Sequence, residues 1–171
     1  MAELEENVEL MEDYLDEDTQ KDRYLSFIID DEEYAIEIKH VIEIVGIQKI
    51  TRVPNIKPFI KGIISLRGTI TPVVDVRARF SLPPIPYDDR TCIIIVTLGT
   101  SEIGLIVDEV QEVISIPEDN ISNSPQTTKG NHGRFISGIG KVGNAIKILL
   151  NIDKLLYDDE DIMQTTEENF Q

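Results

Sequence analysis

The segment 59–80, FIKGIISLRGTITPVVDVRARF, occurs twice, and that repetition restricts the chain to a duplicated β framework. Displaced by 76 residues, 135–156 reads FISGIGKVGNAIKILLNIDKLL. Phe59, Ile60, Gly62, Ile63 and Ile70 fall on Phe135, Ile136, Gly138, Ile139 and Ile146 without a gap. Apolar character is kept at Leu66/Val142, Val73/Leu149, Val74/Leu150, Val76/Ile152 and Phe80/Leu156. Both copies read as strand, tight turn, strand and a short helical turn. The turns fall at Arg67-Gly68 and Gly143-Asn144, pairs that hold a residue tolerant of positive φ. One turn carries Arg67 where the other carries Gly143. An arginine on only one turn of a twofold scaffold marks a binding site grafted onto it.

The flanking sequence repeats the same order. Residues 24–30 (YLSFIID) read as a strand, 31–33 as a turn and 34–38 (YAIEI) as the returning strand. Residues 39–45 fit either a helical turn through Val41, Ile44 and Val45 or a strand through Ile42 and Ile44. Residues 47–53 form a β-rich run closed by Pro54. In the second half, 91–98 and 103–107 read as strands, 108–112 as a helical turn or bend, and 113–116 as a strand closed by Pro117. A displacement of 69 sets Ile36, Ile38, Val41, Glu43 and Ile44 on Leu105, Val107, Val110, Glu112 and Val113. It grows to 76 because the loop 118–134 is longer than 55–58. Five short strands per half close into a small barrel, which removes open edges. The expectation is an all-β protein with minor helix: two five-stranded barrels, about 24–80 and 91–150, sharing an apolar seam. A short helix follows at about 151–157. Phe59 and Phe135 should be equivalent and buried.

Charge sits at the ends. Residues 1–22 hold ten acids and one lysine, and 158–171 hold six acids and no base; the core 23–157 has 15 basic and 16 acidic residues, nearly neutral. Both ends read as acidic tails, 1–22 flexible although Leu4, Val8, Met11 and Leu15 could line one helical face. Removing 1–20 and 160–171 should leave thermal stability nearly unchanged, because the tails can bury little apolar area. Acidic tails repel nucleic acid and anionic lipid, and the basic residues are scattered singly, so no nucleic-acid partner is expected. No apolar run of about 18 residues is present to enter a membrane, and the first residues lack a signal-peptide core; a cytoplasmic protein is expected.

Reactive chemistry is sparse. Cys92 reads as a buried small hydrophobe, and neither His40 nor His132 has a neighbour at metal-ligand spacing, so no metal or cofactor is expected. The sequence has no nucleophile elbow, zinc-protease motif or phosphate loop. The glycines of 138–143 fall within a predicted hairpin. Asp75 and Asp108 are the candidates for acid–base work, but Asp75 and its repeat mate Asn151 each precede a short helical stretch and suit N-caps. A small β protein with apolar residues to spare and no reactive centre reads as a binding module.

The motifs YAIEI at 34–38, VIEI at 41–44, the run 58–80 with its LRGxxxPVVDxR core, GLIVDEV at 104–110 and NIDKLL at 151–156 resemble the CheW family of chemotaxis coupling proteins. The resemblance covers about 24–157. It implies two SH3-like barrels within a CheW-like domain at 23–157, no enzymatic activity and no cofactor. It also implies an adaptor, monomeric when free, at receptor arrays on the inner face of the membrane. There it would join the cytoplasmic tip of methyl-accepting chemotaxis receptors to the regulatory domain of the histidine kinase CheA. By the same resemblance Val41, Gly62, Arg67, Gly104 and Val113 fall on receptor-binding positions, and Glu43, Ile44 and Lys61 on kinase-binding ones. The loop 118–134 matches less closely. A scaffold for an output other than swimming, or an acid–base enzyme using Asp75 and Asp108, are the alternatives.

Overall fold

The computed structural model describes residues 20–123 and 133–157. The Leu4–Leu15 stripe, His132, most of the loop 118–134 and nearly all of both acidic tails lie outside the described residues.

Eleven strands and two short helices are described. They are β1 (Arg23–Ile29), β2 (Glu32–Glu37), β3 (Val41–Gly46), β4 (Ile60–Leu66), β5 (Thr69–Asp75), α1 (Val76–Arg79), β6 (Cys92–Leu98), β7 (Ser101–Val107), β8 (Glu109–Ser115), β9 (Ile121–Ser122), β10 (Ile136–Val142), β11 (Ala145–Leu150) and α2 (Ile152–Leu156). The β1–β2 turn is Asp30-Asp31, both at positive φ (53° and 64°), one residue earlier than expected. Two consecutive positive φ values match the twist of a two-residue hairpin, and aspartate tolerates that region. The β4–β5 turn repeats the device with Arg67 and Gly68, at 51° and 78°. Asp75 caps α1 by accepting from the Arg77 and Ala78 amides, and Asn151 caps α2 by accepting from the Lys154 amide.

The strands form two sheets, ordered β8-β1-β2-β11-β10-β9 and β3-β6-β7-β5-β4. Two β subdomains of SH3-like barrel type result, but their composition corrects the expected boundaries. Neither 24–80 nor 91–150 pairs only within itself. The hairpin β1–β2 lies between β8 and β11, and β6–β7 lies between β3 and β5. Exchanging the two hairpins by name makes the orders β8-β1-β2-β11-β10 and β3-β6-β7-β5-β4 coincide. The duplicated halves have therefore traded their leading hairpins. The trade follows from the connections. After β2 a 3₁₀ turn, Ile38–His40, sends the chain to β3 in the opposite sheet, and a bend at Asp108 sends it from β7 to β8. Each hairpin meets equivalent partners, with β2 parallel to β11 and β7 parallel to β5.

One apolar core joins the two sheets through Phe27, Tyr34, Ile36, Phe80, Ile94, Leu105, Phe135 and Leu155. Phe59 and Phe135 are both buried, and their carbonyls accept from the amides of repeat mates Asp75 and Asn151, at 2.9 and 2.8 Å. Between the two rings lies the guanidinium of buried Arg79, 4.1 Å from one centroid and 4.6 Å from the other. A second buried arginine, Arg77, ties the exchanged hairpins together. It donates to Asp108 (2.8 Å), Asp30 (3.2 Å) and the Pro83 carbonyl (3.1 Å).

Three smaller expectations are corrected. Residues 47–53 form no strand; they touch the sheet at a single bridge, Thr51 to Ile63. Residues 109–112 are extended, belonging to β8 rather than a helical turn. Cys92 is half-buried at the start of β6, its thiol facing the Arg90 carbonyl at 3.3 Å.

The six-stranded sheet holds a polar network where the other sheet is largely apolar. Buried Ser26 donates to Gln111 (2.6 Å), Gln111 donates to Glu33 (3.0 Å), and buried Lys147 bridges Gln111 (3.3 Å) and Glu33 (3.1 Å). The hydrogen bonds from Gln111 and Lys147 hold the Glu33 carboxyl below its ordinary 4.5. A lowered native pKa means that the pairing stabilises the fold above the unfolded value and is lost as pH falls through the native one. Wild type should therefore lose stability below about pH 4.5 more steeply than Glu33→Gln, whose unfolding midpoint should be flatter across that window. Parallel slopes in urea titrations at stepped pH would show that the network does not couple to folding.

Candidate partner-binding surface

β3 is an edge of the five-stranded sheet, and its outward residues are apolar: Ile42 and Ile44 are each 43% exposed. A register shift between Val41 and Glu43, opposite β6, leaves Ile42 as the extra residue of a bulge, a common device at edges. Val41 packs partly on the core. Glu43 faces the β4–β5 turn, where both terminal nitrogens of Arg67 donate to its two carboxylate oxygens. The fork is bidentate, yet the Arg67 side chain is 68% exposed, so solvent screens the pair and its worth to the fold is at most about 1 kcal/mol.

The remaining candidates are dispersed. Lys61 and Gly62 lie on β4, the opposite edge of the same sheet, with the Lys61 ammonium 5.8 Å from the Tyr87 ring centroid. Gly62 has φ +154°, and a Cβ there would stand 2.2 Å from the Thr51 carbonyl oxygen. Gly104 is buried in β7, where a Cβ would meet Ile93 and Val73 at 2.7 and 2.8 Å. Val113 lies on β8, an edge of the other sheet, 49% exposed. Thus Glu43 and Arg67 meet directly, while Ile44, the next residue of β3, belongs to the alternate, exposed set of that strand. The glycines make room for packed neighbours, and Val113 belongs to the second subdomain.

The two most exposed large apolar side chains among the described residues escaped the candidate list. Ile70 and Ile146, repeat mates beside the hairpin turns, are 69% and 60% exposed. Val73 and Val74 are both buried, so β5 gives no clean alternation, and Ile70, which shares the parity of Val74, reads as core-facing from sequence although it is exposed.

The two aspartates considered for acid–base work are committed elsewhere. Asp75, besides capping α1, accepts from the Tyr87 hydroxyl at 2.8 Å; burial and that hydrogen bond push the Tyr87 phenol far up. Asp108 accepts from Arg77 and from the Asp30 amide, each at 2.8 Å. Among the described residues no group of His, Cys, Asp and Glu could hold a metal ion.

Comparison with known proteins agrees with this geometry. Residues 23–160 match the CheW-like domain. Over 143 residues the chain is 35% identical to the chemotaxis protein CheW of Klebsiella aerogenes, covering 84% of this chain and 86% of that one. Over 135 residues it is 36% identical to CheW of Bacillus subtilis, covering 79% and 86%. The crystal structure of the scaffolding protein TtCheW from Thermoanaerobacter tengcongensis matches with a TM-score of 0.74 at 35% identity, over 81% of this chain and 94% of that one. A duplicated β framework with the LRGxxxPVVDxR run on its first hairpin, matched along nearly all of its described length, places the chain in the CheW-like family.

Proposed function

We infer that this chain is a non-enzymatic chemotaxis adaptor that couples methyl-accepting receptors to the histidine kinase CheA, so that receptor state controls kinase autophosphorylation. One observation carries the reading. Glu43, assigned to the kinase side, and Arg67, assigned to the receptor side, form a single ion pair. Neither partner can engage one residue without altering the other's surroundings. Ile44, exposed on the alternate face of the same edge strand, offers apolar surface for association, and a helical receptor tip can supply a matching ridge. The commitment of Asp75 and Asp108 to a cap and an ion pair favours the adaptor over acid–base chemistry. Among the described residues no helix is long and apolar enough to cross a membrane, so array residence would come through the receptors.

Arg67→Ala should weaken binding of a receptor cytoplasmic fragment by roughly 10- to 150-fold, the loss of about 1.5–3 kcal/mol from a charge-assisted contact. Arg67→Glu should weaken it further, because Glu43 then faces a like charge. Both variants should melt within a few degrees of wild type, since the exposed pair contributes little to folding. Affinity for the CheA regulatory domain should change less. Titrations against each partner, with melting curves alongside, decide the matter. Unchanged receptor affinity with collapsed stability would make Arg67 a structural residue.

A further inference from the structure

The connection from β3 to β4 carries an open cleft of about 520 Å³ lined by Arg52, Lys57 and Lys61, with Val53, Pro54 and Ile56 between them. No carboxylate lines it, and among the described residues none of the three cations has an ion-pair partner. Two of them rest near rings instead: Lys57 is 5.7 Å from the Phe59 centroid and Lys61 is 5.8 Å from that of Tyr87. Three like charges around one cleft repel one another, and no acid of the nearly neutral core lines the cleft with them. An anion laid across it relieves that repulsion. The apolar residues between the cations favour an occupant that carries apolar side chains as well as acids.

We propose that the occupant is the chain's own C-terminal segment, residues 158–171, held in cis. Its composition fits: six acids, no base, and the apolar residues Ile162, Met163 and Phe170. Its point of departure fits too. The Phe59 ring that Lys57 approaches carries the Arg79 guanidinium 4.1 Å from its centroid, and Arg79 donates to the Leu155 carbonyl at 2.7 Å. Tyr157, the last described residue, stands two positions further on and is 47% exposed. The segment therefore leaves the fold one ring and one guanidinium away from the cleft. Fourteen extended residues reach at most about 50 Å, ample for that distance. The acidic N-terminal segment fits less well, because it joins the fold at β1, which pairs with β2 and β8, whereas Leu155 is linked to the cleft through Arg79 and Phe59. Contacts of this kind are individually weak and screened by salt, but tethering raises the local concentration of the segment. An acidic partner approaching Lys61 must displace it. The inference stands apart from the identity of the partners and is tested on the protein alone.

The test compares amide NMR spectra of the full chain with those of a full-length variant in which Asp158, Asp159, Glu160, Asp161, Glu167 and Glu168 become the corresponding amides. At about 20 mM salt the two proteins should differ at the amides of 52–61, and the differences should fade near 1 M salt as screening shortens to a few Å. They should not change with protein concentration. In a chain that also carries Arg52→Gln, Lys57→Gln and Lys61→Gln, neutralising the tail should shift nothing further in the loop. Identical loop amides in the first pair at low salt would overturn the proposal. So would differences confined to another surface, or differences that grow with concentration and so report a second copy. Loop shifts produced by neutralising the acids of 1–18, with the C-terminal acids silent, would show that the wrong segment was chosen.

Discussion

Arg79→Ala is expected to destabilise the protein by about 3–4 kcal/mol, the sum of a desolvated cation–π contact and a charge-assisted hydrogen bond. Arg79 is buried at the junction of the two subdomains, its guanidinium between the rings of repeat mates Phe59 and Phe135. Its Nε donates to the carbonyl of Leu155, its own repeat mate, at 2.7 Å, and Nη2 lies 3.5 Å from the Lys154 carbonyl. Truncation leaves a slot between two rings and takes a donor from the last turn of α2, where carbonyls lack intrahelical partners. Arg79→Lys keeps the charge but loses the flat face that stacks on both rings, so it should recover only part of the loss. Because the side chain touches both halves, the unfolding transition of Arg79→Ala should also broaden if the subdomains begin to unfold separately. Urea unfolding followed by two probes, one near each phenylalanine, checks both points. A midpoint equivalent to a loss below about 1 kcal/mol would show that the two sheets hold together without it.

The junction also separates what the sequence could express from what it could not. Equivalence of strands was legible, because the apolar alternation of 59–80 recurs at 135–156 without a gap. The exchange of hairpins was not. A strand shows the same inward and outward residues whichever sheet it joins, so β1–β2 reads identically in either place. Bulges hid the strands at 39–45 and 108–112. An extra residue in β8, near Gln111, puts Val110 and Val113 three apart, which imitates a helical period, while their partners Phe27 and Leu25 are two apart. Arg67 was legible as a turn residue because the residue after it is glycine and its repeat mate is Gly143. Its pairing with Glu43, 24 residues away, depends on how the hairpin folds over the edge strand. Arg79 was the least legible residue of all. An arginine in a short helix reads as solvated, and only the fold brings both phenylalanines against it.

The glycines assigned to receptor binding lead to the second large effect. Gly62→Ala should cost about 3–4 kcal/mol, through backbone strain and overpacking together. At φ +154° an L side chain is strained, and the added methyl would stand 2.2 Å from the Thr51 carbonyl oxygen, which cannot swing aside as a side chain could. That oxygen accepts from the Ile63 amide, and the Thr51 amide donates to the Ile63 carbonyl, both at 2.9 Å. Moving Thr51 therefore breaks the one bridge that holds residues 47–53 to the sheet. The repeat mate supplies the control. At Gly138 a Cβ would meet the Ser122 carbonyl at 3.0 Å and Ile121 at 3.1 Å, so Gly138→Ala requires a shift of only tenths of an ångström and should cost about 1 kcal/mol. Receptor binding should fall in Gly62→Ala without the loss of any contacting side chain, because β4, displaced at Gly62, leads into the hairpin turn that carries Arg67. Denaturant unfolding of both variants beside receptor titrations tests this. If Gly62→Ala keeps wild-type stability while binding disappears, Gly62 is itself a contact point, and the packing account of this position fails.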